Sequence, residues 1–349
     1  MTIRTAYDEA TKAYQLPRLI QLAPNLYAAC FTLMKMVPAR YILRKAAAAG
    51  MLEPDTVVVE TTSGTFGLAL AMQAAHLQRK VILVSDPAID DRLYRRLVDL
   101  GAVVERVPAS AGNAAGGFQA ARLERLAQVR AETPSTFCPE QYSNPDNPRS
   151  YASVAELILE CLGQVDCLVG PVGSGGSMCG TAGYLRSVLP ECRAIGVDTH
   201  GSALFGQPPG PRELRGLGMS LLPSNLDHRI FDGVHWCSAG AAYAATRELH
   251  QQHALFMGPT SGAAYLVARW WARENPSARV VVMMPDEGYR YQDTVYDDTW
   301  LATAGHRLEV PPEPVPVDSP DHPAAPWTSF DWGRRSHDEV MAAMSPGAP

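Results

Sequence analysis

The sequence predicts an α/β chain with two α/β domains built on mostly parallel sheets. Three observations carry that expectation. Short apolar β-rich runs alternate with helical patterns, which is the signature of βαβ units. The alternation stops and restarts, giving two blocks with a cleft expected between them. The 349 residues are 46% hydrophobic and 19% charged, enough apolar material for a full core in each block.

The elements follow in order. Val57–Glu60 is a strand that runs into the loop Thr61-Thr62-Ser63-Gly64, and a small-residue helix follows from Phe66 to about His76. Lys80–Val84 is the next strand, Asp90–Leu100 a helix closed by Gly101, and Val103–Val107 a third strand before a helix ending near Glu132. The second block opens with a helix over Val154–Leu162, the strand Val165–Val169 and the glycine-rich turn Gly170–Gly176. A helix over Ser177–Val188 and the strand Ala194–Val197 follow. Helices are expected over Ala241–His253 and from Ala263 to Asn275, the latter headed by Thr260-Ser261-Gly262. Val280–Met284 is the last clear strand. Seven prolines between Val310 and Trp327 favour extended chain. Residues 303–349 are therefore expected to be an appendage draped over a neighbouring surface, with a terminal helix over Ser329–Met344.

Charge and composition exclude several classes. The net charge of −6 argues against nucleic acid, which needs a basic footprint. No apolar run approaches the roughly 20 residues of a membrane span, and Met1–Gln15 has no secretory apolar core. The seven cysteines form no C-x-x-C pair and read as reduced thiols of a cytoplasmic protein. His250 and His253 lie one helical turn apart, but no Glu or Cys completes a zinc spacing, so no metal site is expected.

Three loops could hold one phosphorylated ligand. Gly170–Ser177, with Gly173-Ser174-Gly175-Gly176-Ser177 at its centre, links a strand to a helix. Its backbone N–H groups and the helix dipole would cradle a phosphate. The other reading is an ordinary tight turn. Thr61–Gly67 and Gly258–Gly262 also open helices with hydroxyls, either as anion cradles or as plain N-caps. A dinucleotide fold would want a third glycine where Met178 stands, although Asp198 sits where a ribose-binding acid would. That leaves a nicotinamide oxidoreductase as an open alternative.

Only four of the 30 basic residues are lysines: Lys12, Lys35, Lys45 and Lys80. Lys35 alone lies in an otherwise uncharged run, Phe31–Val37. Desolvation there would lower its pKa and favour a neutral nucleophile; the competing reading is a lysine that snorkels to the surface.

Together these segments resemble the cysteine synthase/cystathionine β-synthase family of pyridoxal-phosphate enzymes, fold type II, from about Leu16 to Tyr291. Leu16-Pro17-Arg18-Leu19 is similar to that family's T-P-L-x-x-L, and Thr62-Ser63-Gly64-Thr65-Phe66-Gly67 to T-S-G-N-T-G. Asp99-Leu100-Gly101-Ala102 is similar to A-L-G-A, and Gln141–Pro145 followed by Asn147-Pro148 to Q-F-S-N-P-x-N-P. Gly173–Ser177 is similar to G-T-G-G-T, and Pro259–Ala263 to I-S-S-G-A. The family's cofactor lysine stands 15 residues before a G-V-L; here Gly50-Met51-Leu52 points back to Lys35. Two departures stand out: the polar residues that flank the family's lysine are absent, and Thr65 replaces the asparagine near the cofactor's O3′.

The resemblance implies two three-layer α/β domains of the tryptophan synthase β type with pyridoxal 5′-phosphate in the interdomain cleft. It implies a smaller mobile domain over 36–133, a larger cofactor-binding domain over 13–35 plus 134–302, and the 303–349 appendage. Lys35 would hold the cofactor covalently and act as the catalytic base. Thr65, Gly173, Ser174, Gly175, Gly176, Ser177 and Thr260 would complete the cofactor site. Thr62, Ser63, Gly64, Gln141 and Arg215 would bind substrate, with Arg215 suited to a phosphate leaving group. The implied reaction is β-replacement on O-phosphoserine or O-acetylserine through an aminoacrylate. It would join a second nucleophile to give cysteine or a related amino acid, in a homodimer. A β-eliminating lyase and a non-catalytic paralogue remain as alternatives.

Overall fold

A computed structural model describes residues 6–62, 64–113, 117–214, 216–321 and 325–344. The chain enters through β1 (Arg18–Ala23) and β2 (Leu26–Cys30), then α1 (Met36–Ala48), β3 (Val57–Thr61), α2 (Thr65–His76), β4 (Val81–Ser85), α3 (Asp91–Asp99) and β5 (Val103–Arg106). Next come α4 (Gly117–Glu132), β6 (Thr136–Phe137), α5 (Asp146–Arg149), α6 (Ala152–Leu162), β7 (Cys167–Pro171), α7 (Gly176–Val188), β8 (Arg193–Thr199) and β9 (Gly233–Cys237). The chain closes with α8 (Ala239–His253), α9 (Pro259–Glu274), β10 (Val280–Met284), α10 (Asp298–Thr303), β11 (Val315–Pro316), β12 (Trp327–Asp331) and α11 (His337–Met344).

Two compact units result. The first takes the described chain up to Leu16 and Leu33–Ser150; the second takes Pro17–Thr32 and the chain from Tyr151 on. Lys35 and residues 134–150 thus lie in the first unit, not with the larger one. The reason is local pairing: β6 pairs in parallel with β3, and α5 packs on α1.

The first unit holds the four-stranded parallel sheet β5-β4-β3-β6. Successive residues of a strand face opposite sides, and here both sides are covered. Val58 and Leu83 meet Leu43, Phe66, Leu70 and Leu97 of α1, α2 and α3. Val59 and Val84 meet Leu126 and Val129 of α4.

The second unit holds an eight-stranded sheet, β1-β2-β10-β7-β8-β9-β12-β11. Its centre, β2 to β9, is parallel; only β1–β2 and β9–β12 are antiparallel. β7 and β10 are buried at every position, as strands covered on both faces must be. α8 and α9 cover one face through residues such as Leu249, Tyr265 and Leu266, while Met178 of α7 meets Met283 on the other.

The tail differs from the sequence expectation. Ser329–Asp331, expected to open the terminal helix, instead ends the strand β12, and the helix begins only at His337; β12 pairs antiparallel with β9, Trp327 facing Cys237. Its large rings bury in the same unit: Trp327 is 1% and Trp332 0% exposed. Trp327 Nε1 donates to His235 Nδ1 at 3.1 Å. The appendage is therefore part of its own sheet, and Pro316 sits on the edge strand, where a missing N–H costs nothing. Among the described residues no helix is long and apolar enough to cross a membrane.

Candidate active site

In the first unit, β3 ends at Glu60-Thr61 and the chain turns through Thr62 into α2. Gly64 is the N-cap residue and has no side chain of its own to cap this helix. Thr62 Oγ1 accepts the Gly64 N–H at 3.2 Å. Gln141, 4% exposed, is drawn to the same turn: its Nε2 donates to Thr61 O at 3.0 Å. Asn147 Nδ2 donates to Gln141 O at 2.6 Å. Thr62, Gly64 and Gln141 are thus brought together, with Thr65 as the first residue of α2. Ser63 and Arg215 lie outside the described residues.

Lys35 heads α1, which packs on α2. It is half-buried between Leu33-Met34 and Met36-Val37, all at most 5% exposed. Burial lowers its amine from 10.5 to about 8. The other lysines are on the surface: Lys12 pairs with Asp8, Lys45 with Asp146, and Lys80 is exposed.

In the second unit, β7 runs into the glycine turn and α7. Gly175 is the N-cap residue with φ +82°, in the left-handed region that favours glycine. A Cβ there would stand 2.7 Å from Leu226 Cα and 2.8 Å from Asn225 O. A Cβ at Gly173 would stand 3.2 Å from Gly216 O, and one at Gly216 would stand 3.8 Å from Thr260 Cγ2. The turn around Gly216 therefore links the glycine loop to Thr260. Ser174 is buried and Ser177 half-buried.

α9 starts earlier than the sequence predicts, at Pro259, with Gly258 as N-cap. Proline is suited to the first helical position, since its missing N–H would have had no helical partner. Thr260 and Ser261 therefore lie inside the first turn, and the N-cap residue itself has no side chain to cap it. By contrast α3, α8 and α10 are capped by Asp90, Ser238 and Asp297. The N-cap residues of α2, α7 and α9 are instead Gly64, Gly175 and Gly258, which have no side chain with which to cap the helix N–H groups.

Asp198 does not suit a ribose. It is 0% exposed, its Oδ1 accepts the Thr199 N–H at 2.8 Å, and Gly218 packs against it. The nicotinamide reading fails on that burial. Each unit by itself offers one feature that a phosphorylated cofactor with a reactive carbonyl would need: the second a glycine-headed helix start with close backbone approach, the first a desolvated amine.

The comparisons decide which cofactor. The pyridoxal-phosphate dependent enzyme family profile matches residues 34–286. The chain belongs to that family. It is accordingly an enzyme that uses pyridoxal phosphate. Among relatives, it is 36% identical over 280 residues to an N-(2-amino-2-carboxyethyl)-L-glutamate synthase of Cupriavidus metallidurans, covering 78% of this chain and 82% of the relative. It is 31% identical over 255 residues to a cysteine synthase of Helicobacter pylori, covering 72% and 81%. The crystal structure of an O-acetylserine dependent cystathionine beta-synthase from Helicobacter pylori superposes with a TM-score of 0.76 at 27% identity, covering 83% of this chain and 99% of that one. The two α/β units with parallel sheets are the fold type II architecture.

Sequence reasoning missed several charged residues near the substrate loop. Arg122, 8% exposed, pairs with Asp86 at 3.2 Å and lies beside the Tyr142 hydroxyl. The signal was present: Arg122 falls on the buried stripe of α4 with Leu126 and Val129, where an arginine is out of place. Glu60, in sequence simply the end of a strand, is 1% exposed.

Proposed function

We propose that the enzyme catalyses β-replacement on an activated serine, with an amine as the second nucleophile, giving a β-substituted non-protein amino acid. The observation that carries the reading is the desolvated amine of Lys35 in a chain whose other three lysines are surface groups. The choice of nucleophile is supported by the 36% identical relative, whose named product is an aminocarboxyethyl group on glutamate nitrogen.

Pyridoxal phosphate supplies an electron sink for the substrate's α-carbon when bound. The N–H groups of Gly173–Ser177 and the start of α7 would hold its phosphate. The Thr260 hydroxyl would meet its ring nitrogen, and Thr65 would lie at the O3′ side. Lys35 would anchor its carbonyl carbon. Thr62, Ser63, Gly64 and Gln141 would bind the substrate carboxylate at the start of α2. With its pKa near 8, Lys35 Nζ is poised to take the α-proton near neutral pH. The balance is simple: the Cβ–O bond breaks and its electron pair leaves with the phosphate or acetate, the Cβ–N bond forms, and the amine loses one proton.

Purified enzyme given O-phosphoserine or O-acetylserine with L-glutamate should release the leaving group and yield the coupled product by mass; coupling to sulfide but not to the amine would keep β-replacement and overturn the choice of nucleophile. Pyruvate and ammonia in its place would favour the eliminating lyase. O-phosphoserine should be the faster donor, because a guanidinium at Arg215 can hold a departing phosphate by two charge-assisted hydrogen bonds. Arg215→Leu should reverse the donor order, with a loss of about 2 kcal/mol specific to the phosphate ester. Equal losses for both donors would show that Arg215 does not read the leaving group.

We also infer a cytoplasmic homodimer. The seven free cysteines, five of them buried, support a reducing compartment. Two-fold dimers are the commonest soluble assembly. Light scattering that returned the 37.7 kDa of one chain at micromolar concentration would refute the dimer.

A further inference from the structure

Glu60 is a carboxyl group with no part in the chemistry above, yet it is almost wholly enclosed at the end of β3. Its two oxygens hold two distant parts of the chain. Oε1 accepts the Thr61 N–H at 2.8 Å, at the entry to the substrate loop. Oε2 accepts the Gln141 N–H at 3.1 Å, from a segment 81 positions later in the chain. Gln141 closes the ring by donating its side-chain amide to Thr61 O at 3.0 Å.

We propose that Glu60 is a positioning residue that locks the substrate-carboxylate loop to Gln141, and so sets the affinity for the amino-acid substrate. This rests on the proposed role of Thr62–Gly64 and Gln141 as the carboxylate site. An ionised carboxylate offers acceptors to both N–H groups. A protonated one carries an O–H that faces one of them, and that bond is lost. The group is set to make this change near neutrality: burial pushes it up to about 7 and the Glu140 charge pushes the same way, while backbone hydrogen bonds from Thr61, Gln141 and Glu140 pull against them. The other titratable groups that face it are Cys138 and Tyr142, the latter backed by Arg122 and Asp86. The loop should therefore loosen as pH falls through 7.

The test uses holoenzyme and L-alanine, which has no leaving group, with binding read from the cofactor's visible band. Glu60→Gln should bind L-alanine about tenfold more weakly than wild type at pH 8, and the ratio should shrink toward one at pH 6. Using the ratio cancels the titration of Lys35 and of the ligand, which both proteins share. The variant should keep its cofactor band. A ratio of one at both pH values overturns the inference and leaves the proposed function standing. A wild-type band that responds to no amino acid overturns both. Hydrogen exchange of wild type gives the same answer with no variant to fold. Protection of the Thr61 and Gln141 amides, corrected for intrinsic rates, should fall about tenfold from pH 8 to pH 6. Protection that does not change with pH overturns the inference.

Discussion

Lys35→Ala is expected to abolish the covalent attachment of pyridoxal phosphate and, with it, turnover, while the fold survives. The packing of α1 rests on Met36, Val37, Ala39, Ile42 and Leu43, all at most 2% exposed and all kept in the variant. Lys35 also makes no side-chain cap at the start of that helix. Borohydride treatment followed by peptide mass spectrometry should place the cofactor on Lys35 in the wild type and nowhere in the variant. Label on Lys12, Lys45 or Lys80 would sink the assignment. A second readout needs no cofactor. The Lys35 amine binds its proton less tightly in the folded protein, with a pKa of about 8, than in the unfolded chain at 10.5. Between those values the unfolded state holds more protons, so stability rises with pH. Cofactor-free wild type should show that rise between pH 8 and 10.5, and the variant should show less of it. Equal slopes would mean that the amine is solvated and that the desolvation argument is wrong.

How much of this was legible beforehand depends on whether the signal was local. β3, β4 and β10 announce themselves because parallel strands covered on both faces are apolar runs. The three helix starts announce themselves because glycine and hydroxyl residues have few other reasons to cluster after a strand. β9 and β12 do not. The strand Gly233–Cys237 carries a histidine at mid-strand, His235, whose Nδ1 accepts from Trp327, which arrives 92 positions later. β12 follows a proline-rich stretch whose local preference is extended and solvated, and pairing with β9 overrides it. The same distinction runs through the site. Lys35 could be found because its neighbours in sequence are also its neighbours in space. Glu60 could not, since its oxygens are engaged by segments that meet only in the folded sheet.

Gly175→Ala should cost at least about tenfold in pyridoxal-phosphate affinity, well beyond what its backbone strain explains. Two effects act there. An alanine at φ +82° pays about 1 kcal/mol for a left-handed conformation, wherever it occurs. At Gly175 the new Cβ would also stand 2.7–2.9 Å from the backbone of Asn225 and Leu226. Backbone cannot rotate away as a flexible side chain can, so either the 225–226 segment or the N–H groups at the start of α7 must shift. A cradle for phosphate depends on those N–H groups converging, so a shift of a few tenths of an ångström weakens several charge-assisted bonds at once. Gly101→Ala separates the two effects. Gly101 has φ +84°, nearly the same strain, but nothing lies within 4 Å of its would-be Cβ. It follows α3 in the first unit, whereas Gly175 belongs to the second. Gly101→Ala should lower the melting temperature and leave cofactor affinity unchanged, whereas Gly175→Ala should lower both. Titrating cofactor-free protein with pyridoxal phosphate, followed by the visible band, measures the difference. If Gly175→Ala binds the cofactor as wild type does, the phosphate is held somewhere other than the start of α7.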